Sequence, residues 1–293
     1  MNVAWRVLDL TETSQPILVR RGGLVIGDQR LPLEDFACIL TGETTQWNGE
    51  LVALAAQHDV VILACDWRGI PISATLPWSP NTRIAARQQA QARLSVPRQK
   101  NAWMRVIKAK IQGQANNLWA HSPGGYETLS ALAKVVRSGD PANIEARSAR
   151  TYWSQFMPTE RFVRDREQGG RNAQLNYGYA IVRGVTLRAI CLSGLTPTLG
   201  IWHHNRANPF GLADDLMEPF RPAVEHVVRS LPQGAQLADP QVKAALVASV
   251  SMPMCGTGYT VSTCITQLSQ DFANYVEGNL PVLAVPAWEP GDG

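Results

Sequence analysis

The sequence has no Cys-x-x-Cys pair and, between Asp66 and Glu127, no acidic residue at all. It also lacks the run of about 18 apolar residues that a membrane-spanning helix needs. The longest strand-like apolar run, Val60 to Cys65, stops at Asp66. Five cysteines (Cys38, Cys65, Cys191, Cys255 and Cys264) make an odd count, which argues against a disulfide framework and a zinc ribbon and leaves buried free thiols. Arg6 and Asp9 fall within the first ten residues, so no secretory signal is expected and the chain reads as soluble and cytoplasmic. Charged residues make up 17% of the chain, too few for long disordered charge runs. There is no internal repeat and no low-complexity tract.

What is present is apolar mass and an uneven distribution of charge. Of 293 residues, 45% are hydrophobic, enough for a sizeable core, and the length suggests about two domains at roughly 150 residues each. The formal net charge of +3 conceals the acid-free stretch, which carries Arg68, Arg83, Arg87, Arg93, Arg98, Lys100, Arg105, Lys108 and Lys110. Unless acids elsewhere in the fold come to meet them, a polyanion is the natural partner. Arginine outnumbers lysine 22 to 5, and arginine is the better bidentate phosphate clamp.

Residues 1–80 read as a small β-rich domain. Ile17–Arg20 and Leu24–Ile26 flank Arg21-Gly22-Gly23, a hairpin signal, and Phe36–Leu40 and Val60–Cys65 are buried-strand runs. A short helix is expected from about Asn48 to His58. Ile70-Pro71-Ile72-Ser73 suits an edge strand, because proline cannot donate to a ladder. Pro77 and Pro80 mark a linker, and residues 81–293 read as an α-helical catalytic domain, which makes the class α+β. Its expected helices are Ile84–Leu94, Gln99–Trp119, Leu129–Val136, one capped by Asp140 and running to about Phe156, Asn172–Val182, Val185–Leu192, Asp214–Leu231, Pro240–Val250 and Val261–Glu277. Pro219 belongs in a first helical turn, where its missing amide costs nothing. The tail from Pro286 is expected to be loose.

Three contexts could carry chemistry. Glu145 lies inside the Asp140-capped helix, with Tyr152 and Trp153 on its face. His203 and His204 follow Gly200-Ile201-Trp202. Glu218 comes fifteen residues after His203, behind Asp214 and Asp215. Singly, these are ordinary caps, dipole partners and surface groups. Together, one imidazole and two carboxylates form an N/O ligand set for Mg²⁺ or Mn²⁺, the imidazole favouring Mn²⁺. Trp103, Trp119 and Trp153 are core residues or, alternatively, stacking platforms for bases.

Four stretches in order resemble the CRISPR-associated integrase family, the spacer-acquisition endonucleases. They are VVILACDWRGIP (60–71), SGDPANIEARSARTYW (138–153), LNYGYA (175–180) and LGIWHHNRANPFGLADDLMEPFRP (199–222), the last two closest to the type II branch. The resemblance implies a small β-domain before a larger all-helical domain. It also implies a homodimer docked to a small partner subunit of the adaptation complex. The metal ligands it implies are Glu145 of the NIE motif, His203 three positions after Gly200, and Glu218 of DLMEPFRP. His204 competes for the imidazole role, and Asp215 is a candidate auxiliary group.

The expected function is a metal-dependent DNA endonuclease and integrase that inserts short fragments into a CRISPR array by 3′-hydroxyl attack on a phosphodiester. Glu145, His203 and Glu218 would be catalytic, and Arg98, Arg105, Lys108, Arg147 and Arg150 would contact DNA phosphates. The alternatives are a DNA-binding subunit with a structural or unused metal site, and a transposon-borne integrase of the same family.

Overall fold

The computed structural model describes residues 6–67, 71–77, 81–121, 124–157, 162–165, 167–203, 205–254 and 256–291. Arg68, Pro80, His204 and Cys255 therefore lie outside the described residues.

A strand-rich N-terminal region precedes a helical one. Strands β1 (Arg6–Leu10), β5 (Phe36–Thr41), β6 (Val61–Cys65) and β7 (Pro71–Thr75) form a sheet in the order β1-β5-β6-β7. The first three are parallel and β7 is antiparallel, at the edge where its proline is tolerated. A second sheet joins β2 (Ile17–Arg20), β3 (Gly23–Ile26) and β4 (Gln29–Pro32), with the tight turn at Arg21-Gly22. The Asn48 side chain accepts from Glu50 N and starts α1 (Gly49–Gln57).

The two central parallel strands, β5 and β6, are almost wholly apolar without alternation because both faces are covered. Ile39 and Ile62 pack on one side with Leu24, Leu51 and Ala55. Cys38, Leu40, Val61, Leu63 and Cys65 face the helical core on the other. Cys38, Cys65 and Cys264 are buried free thiols, and burial pushes the Cys65 thiol up to about 12.

The helices are α2 (Ile84–Ala92), α3 (Val96–His121), α4 (Tyr126–Val135), α5 (Ile144–Phe156), α6 (Arg171–Leu192), α7 (Gly211–Leu216), α8 (Arg221–Ser230), α9 (Pro240–Ala248) and α10 (Val261–Val276). A two-stranded ribbon, β8 (Pro253–Met254) with β9 (Tyr259–Thr260), precedes α10. Helix α6 is the central element, buried over nearly its whole length. It passes so close to the sheet that a Cβ on Gly184 would lie 2.7 Å from Leu63 Cδ1. No described helix is long and apolar enough to cross a membrane.

Three expectations are corrected. The two helices expected over 172–192 are the single helix α6: Gly184 stays helical because the sheet needs its missing side chain, not a break. The helix expected from Asp214 is split into α7, a 3₁₀ turn at Glu218–Phe220, and α8. Pro219 and Pro222 sit early in their own segments, where no amide donor is missed. The tail is not loose at Trp288. Its indole is fully buried and donates to Asn117 Oδ1 at 2.8 Å, while Asn116 Nδ2 donates to the Trp288 carbonyl at 2.7 Å.

Candidate active site

The site begins with a capped turn. Gly139, Asp140 and Asn143 adopt left-handed backbone conformations, which glycine and short polar residues tolerate best. The Asp140 carboxylate then accepts from Ile144 N and Glu145 N, both at 2.9 Å. Asp140 thus caps α5 from four residues upstream, and the helix starts at Ile144, later than the Asp-Pro signal suggested. Glu145 is the second residue of α5, its side chain held toward α3.

On α3, Lys110 reaches into the space between two carboxylates. Its Nζ lies 2.8 Å from Glu145 Oε1 and 2.6 Å from Glu218 Oε2. Glu218 is placed there by the 3₁₀ turn, and Arg221, one turn later, brings Nε within 2.8 Å of Glu218 Oε1. Burial favours the neutral form of Glu218, but Arg221 and Lys110 outweigh it and hold the carboxyl at about 2. Burial likewise opposes the charge on Lys110, yet Glu218 and Glu145 keep its pKa above the ordinary lysine value.

The imidazole is oriented by Asp215, which is fully buried on α7. Asp215 Oδ2 accepts from Ile201 N at 2.6 Å and Trp202 N at 2.8 Å, folding residues 200–203 around the carboxylate. Gly200 has to be glycine here, since a Cβ would lie 2.7 Å from the His203 carbonyl and 2.9 Å from Asp215 Oδ2. Asp215 Oδ1 makes a short hydrogen bond to His203 Nδ1. A carboxylate there fixes Nδ1 as the donor and leaves Nε2 as the outward lone pair. That bond, with burial working against it, raises the His203 pKa, and Glu218 and Glu145 add to the rise. Trp103 of α3 backs the loop, stacked on Trp202 at 5.8 Å and edge-on to His203 at 5.4 Å.

Beneath the salt-bridged layer lies a buried polar network. The Arg221 guanidinium sits 4.5 Å over the Tyr179 ring, and the Tyr179 hydroxyl donates to Glu225 Oε1 at 2.8 Å. Burial raises the Glu225 pKa, so this acid leans toward its neutral form. LNYGYA supplies Tyr179, and also Gly178, where a Cβ would strike Val224 at 2.3 Å.

Lys110 therefore joins Glu145 to Glu218, and His203 lies within electrostatic reach of both, but among the described residues no three such side chains stand in ligating geometry. Lys110 is in the way. The donor set still fits a divalent ion. Two carboxylates flank an existing cation, and Glu218 Oε2 is a buried oxygen that accepts no hydrogen bond of normal geometry despite the nearby ammonium.

The acid-free stretch divides. Arg83 and Arg87 both meet Glu277. Lys110 belongs to the site. Arg98, expected on DNA, lies 4.0 Å over the Tyr275 ring and donates to the Tyr275 and Leu280 carbonyls, so its guanidinium is engaged within the fold. Arg105 and Lys108 are half-buried on α3, and Arg147 and Arg150 are exposed on α5, the helix that carries Glu145. Trp103 is buried and unavailable for base stacking, whereas Trp119 is exposed. Sequence reasoning missed Lys110 as a site residue by counting it among phosphate contacts. It also missed Arg221, which the i,i+3 spacing from Glu218 could have flagged.

A family model described as "CRISPR associated protein Cas1" matches residues 8–248. A CRISPR-associated endonuclease Cas1 of Neisseria meningitidis is 33% identical over 246 residues, covering 80% of this chain and 78% of that protein. The fold is similar to that of a casposase bound to integration product, with a TM-score of 0.79 and 21% identity over 98% of this chain and 96% of the other. It is also similar to a chain of a Cas6-RT-Cas1–Cas2 complex, with a TM-score of 0.78 and 16% identity over 100% of this chain and 37% of the other. On the family match and the Neisseria relative, the chain belongs to the CRISPR associated protein Cas1 family.

Proposed function

We propose that this chain is a divalent-metal-dependent DNA integrase that joins short DNA fragments to a CRISPR array. The observation that carries the reading is the meeting of Glu145 and Glu218 on one cation, with His203, oriented by Asp215, within electrostatic reach of both carboxylates. Glu145, His203 and Glu218 would hold Mg²⁺ or Mn²⁺, supplying Lewis acidity at the scissile phosphate and its leaving oxygen. The protein's own groups do the positioning. Asp215 keeps His203 in one tautomer and orientation. Arg221 balances Glu218 so that the carboxylate stays ionised. Arg147 and Arg150 on α5, with Arg105 and Lys108 on α3, would bind phosphates on either side of the attacked bond. The nucleophile is the fragment's terminal 3′-hydroxyl, which replaces one phosphodiester by another and releases a new 3′-hydroxyl.

The working assembly in this reading is a homodimer with a Cas2-type partner in the cytoplasm. The Cas1-bearing neighbour found with Cas2 supports the partner. The casposase likeness favours a second reading, a transposon-borne integrase, in which the same chemistry acts on a different target.

The test is joining of labelled duplexes to a leader–repeat target in Mn²⁺ or Mg²⁺, with and without chelator and with the partner subunit added. Fragments ending in 3′-hydroxyl should be joined and those ending in 3′-hydrogen should not, because the nucleophile is gone. Equal consumption of both kinds, with only nicked or shortened products, would leave a metal nuclease instead. Joining to transposon ends but not to the leader–repeat would select the second reading.

A further inference from the structure

The further inference rests on the metal reading above. Lys110 is the residue of the site that this reading leaves without a task, and its position is unusual for a lysine. Its ammonium contacts two carboxylates from two different elements, at 2.8 Å from Glu145 and 2.6 Å from Glu218. The contact with Glu145 is a hydrogen bond, but that with Glu218 Oε2 is a charge contact without hydrogen-bond geometry. The Arg221 Nε on the other Glu218 oxygen is likewise a buried donor without a hydrogen bond. Of the contacts among these four charged groups, only that of Lys110 with Glu145 has the direction of a hydrogen bond. A spherical ion would satisfy Glu145 and Glu218 better than an ammonium does.

We propose that Lys110 is a tethered place-holder, whose ammonium occupies the position between Glu145 and Glu218 that the divalent ion takes, and which leaves that position when the ion enters. Without any cation there, two carboxylates would face each other across a nearly dry gap, and the repulsion would push α5 and the 3₁₀ turn apart. Lys110 removes that repulsion and keeps the ligands at their stations. A divalent ion and an ammonium cannot share the position, because their own repulsion is larger still. Exchange is mechanically simple. Lysine has a flexible four-carbon stem and a point charge, and 13% of this side chain is open to solvent. Arginine would be a poor substitute, since its planar fork would lock onto the carboxylates in pairs. The consequence is thermodynamic: ion binding is weakened by the fraction of molecules in which Lys110 holds the site.

The experiment uses the full chain at one pH, with Mn²⁺ as the probe. Wild type, Lys110→Met, Lys110→Arg and Glu145→Ala are compared by calorimetric Mn²⁺ titration and by melting temperature with and without the ion. Lys110→Met should melt lower than wild type without Mn²⁺ and bind Mn²⁺ at least about tenfold more tightly, a difference of roughly 1.4 kcal/mol. Its gain in melting temperature on adding Mn²⁺ should exceed that of wild type, and Lys110→Arg should bind no more tightly than wild type. Folded Lys110→Met that binds Mn²⁺ as wild type does, or more weakly, overturns the proposal. Should Lys110→Met not fold, wild type carries the test through acetylation of its five lysines read by mass spectrometry. Lys110 should be protected without Mn²⁺ and modified with it, and continued protection at saturating ion overturns the place-holder role. A different failure marks the underlying reading. If wild type and Glu145→Ala bind Mn²⁺ equally or not at all, the metal site itself is wrong.

Discussion

Two clusters in this chain are built from the same parts. In one, Arg83 and Arg87 of the acid-free stretch meet Glu277 beyond α10. In the other, Lys110 of the same stretch meets Glu145 and Glu218. In the first, two cations serve one carboxylate through hydrogen bonds of good geometry, Arg83 Nη2 and Nε at 2.5 and 2.9 Å and Arg87 Nε at 3.1 Å. Arg87 finds a further acceptor in the Ser193 carbonyl at 2.7 Å. Hydrogen bonds from Arg83 hold the Glu277 carboxyl below its ordinary range. In the second, one ammonium is divided between two carboxylates, and the contacts of Glu218 Oε2 with Lys110 and of Arg221 Nε with Glu218 Oε1, at 2.6 and 2.8 Å, are ion pairs off the ideal hydrogen-bond direction. A satisfied cluster fastens α2 to the end of α10. The other, which shares one ammonium between two carboxylates, is the cluster proposed above to hold the metal.

The sharpest way to separate the two is to delete a carboxylate from each. Glu145→Ala, His203→Ala and Glu218→Ala should each lower joining by about 10³-fold or more, as removal of a charge-stabilising group at a reacting centre does. Glu145→Ala and His203→Ala should keep the circular dichroism of wild type. Full activity in His203→Ala would move the imidazole role to His204. Glu277→Ala should do the reverse, leaving the rate per folded molecule unchanged while costing stability. The cost should be smaller than for a wholly buried pair, because Arg83 remains in water. A drop in rate that exceeds the loss of folded protein would make that cluster part of the machinery.

A smaller effect tests which basic residues face DNA. Replacing Arg105, Lys108, Arg147 and Arg150 by Glu should flatten the salt dependence of DNA binding, by about 0.9 in log–log slope for each phosphate no longer neutralised. Arg98→Glu should instead lower the melting temperature, since its guanidinium serves the Tyr275 and Leu280 carbonyls. An unchanged slope in the fourfold variant would place the DNA elsewhere.

The smallest effect concerns Glu225 beneath the site. Its folded pKa is raised, so its contribution to stability is complete below the ordinary glutamate value and is lost as pH rises through the folded value. Glu225→Gln cannot ionise. Wild type should therefore lose stability relative to the variant as pH is raised from about 4, measured by urea unfolding at each pH. Parallel curves would mean that the fold does not shift the Glu225 pKa.

Much of this was legible in the residues. The apolar runs at 36–40 and 60–65 are strands because a parallel sheet covered on both faces needs no alternation, and Pro71 marks the edge strand for want of an amide. The residues Glu145, His203 and Glu218 could be singled out because their motifs are local: NIE follows a capping aspartate, and DLME precedes two prolines. Position within a motif is a one-dimensional property. The helix breaks at 184 and 217 were misjudged because a glycine or proline reads alike whether it ends a helix, fills a tight contact or opens a second segment. The tail was misjudged because burial of Trp288 depends on Asn116 and Asn117, more than 170 residues earlier in the chain.

The sequence by itself determined the order of a strand-rich region before a helical one, the family, and the choice of Glu145, His203 and Glu218 as candidates. These depend on periodicity and on short-range motifs, which the chain carries with it. Only the tertiary structure decided how basic residues of the acid-free stretch divide. Arg83, Arg87 and Arg98 became fasteners to the end of α10, Lys110 became the cation between Glu145 and Glu218, and Arg105 and Lys108 stayed half-buried on α3. A charge has no role until its partner arrives, and here the partners Glu277, Tyr275, Glu145 and Glu218 come from distant parts of the chain, brought together by burial of the helices between them.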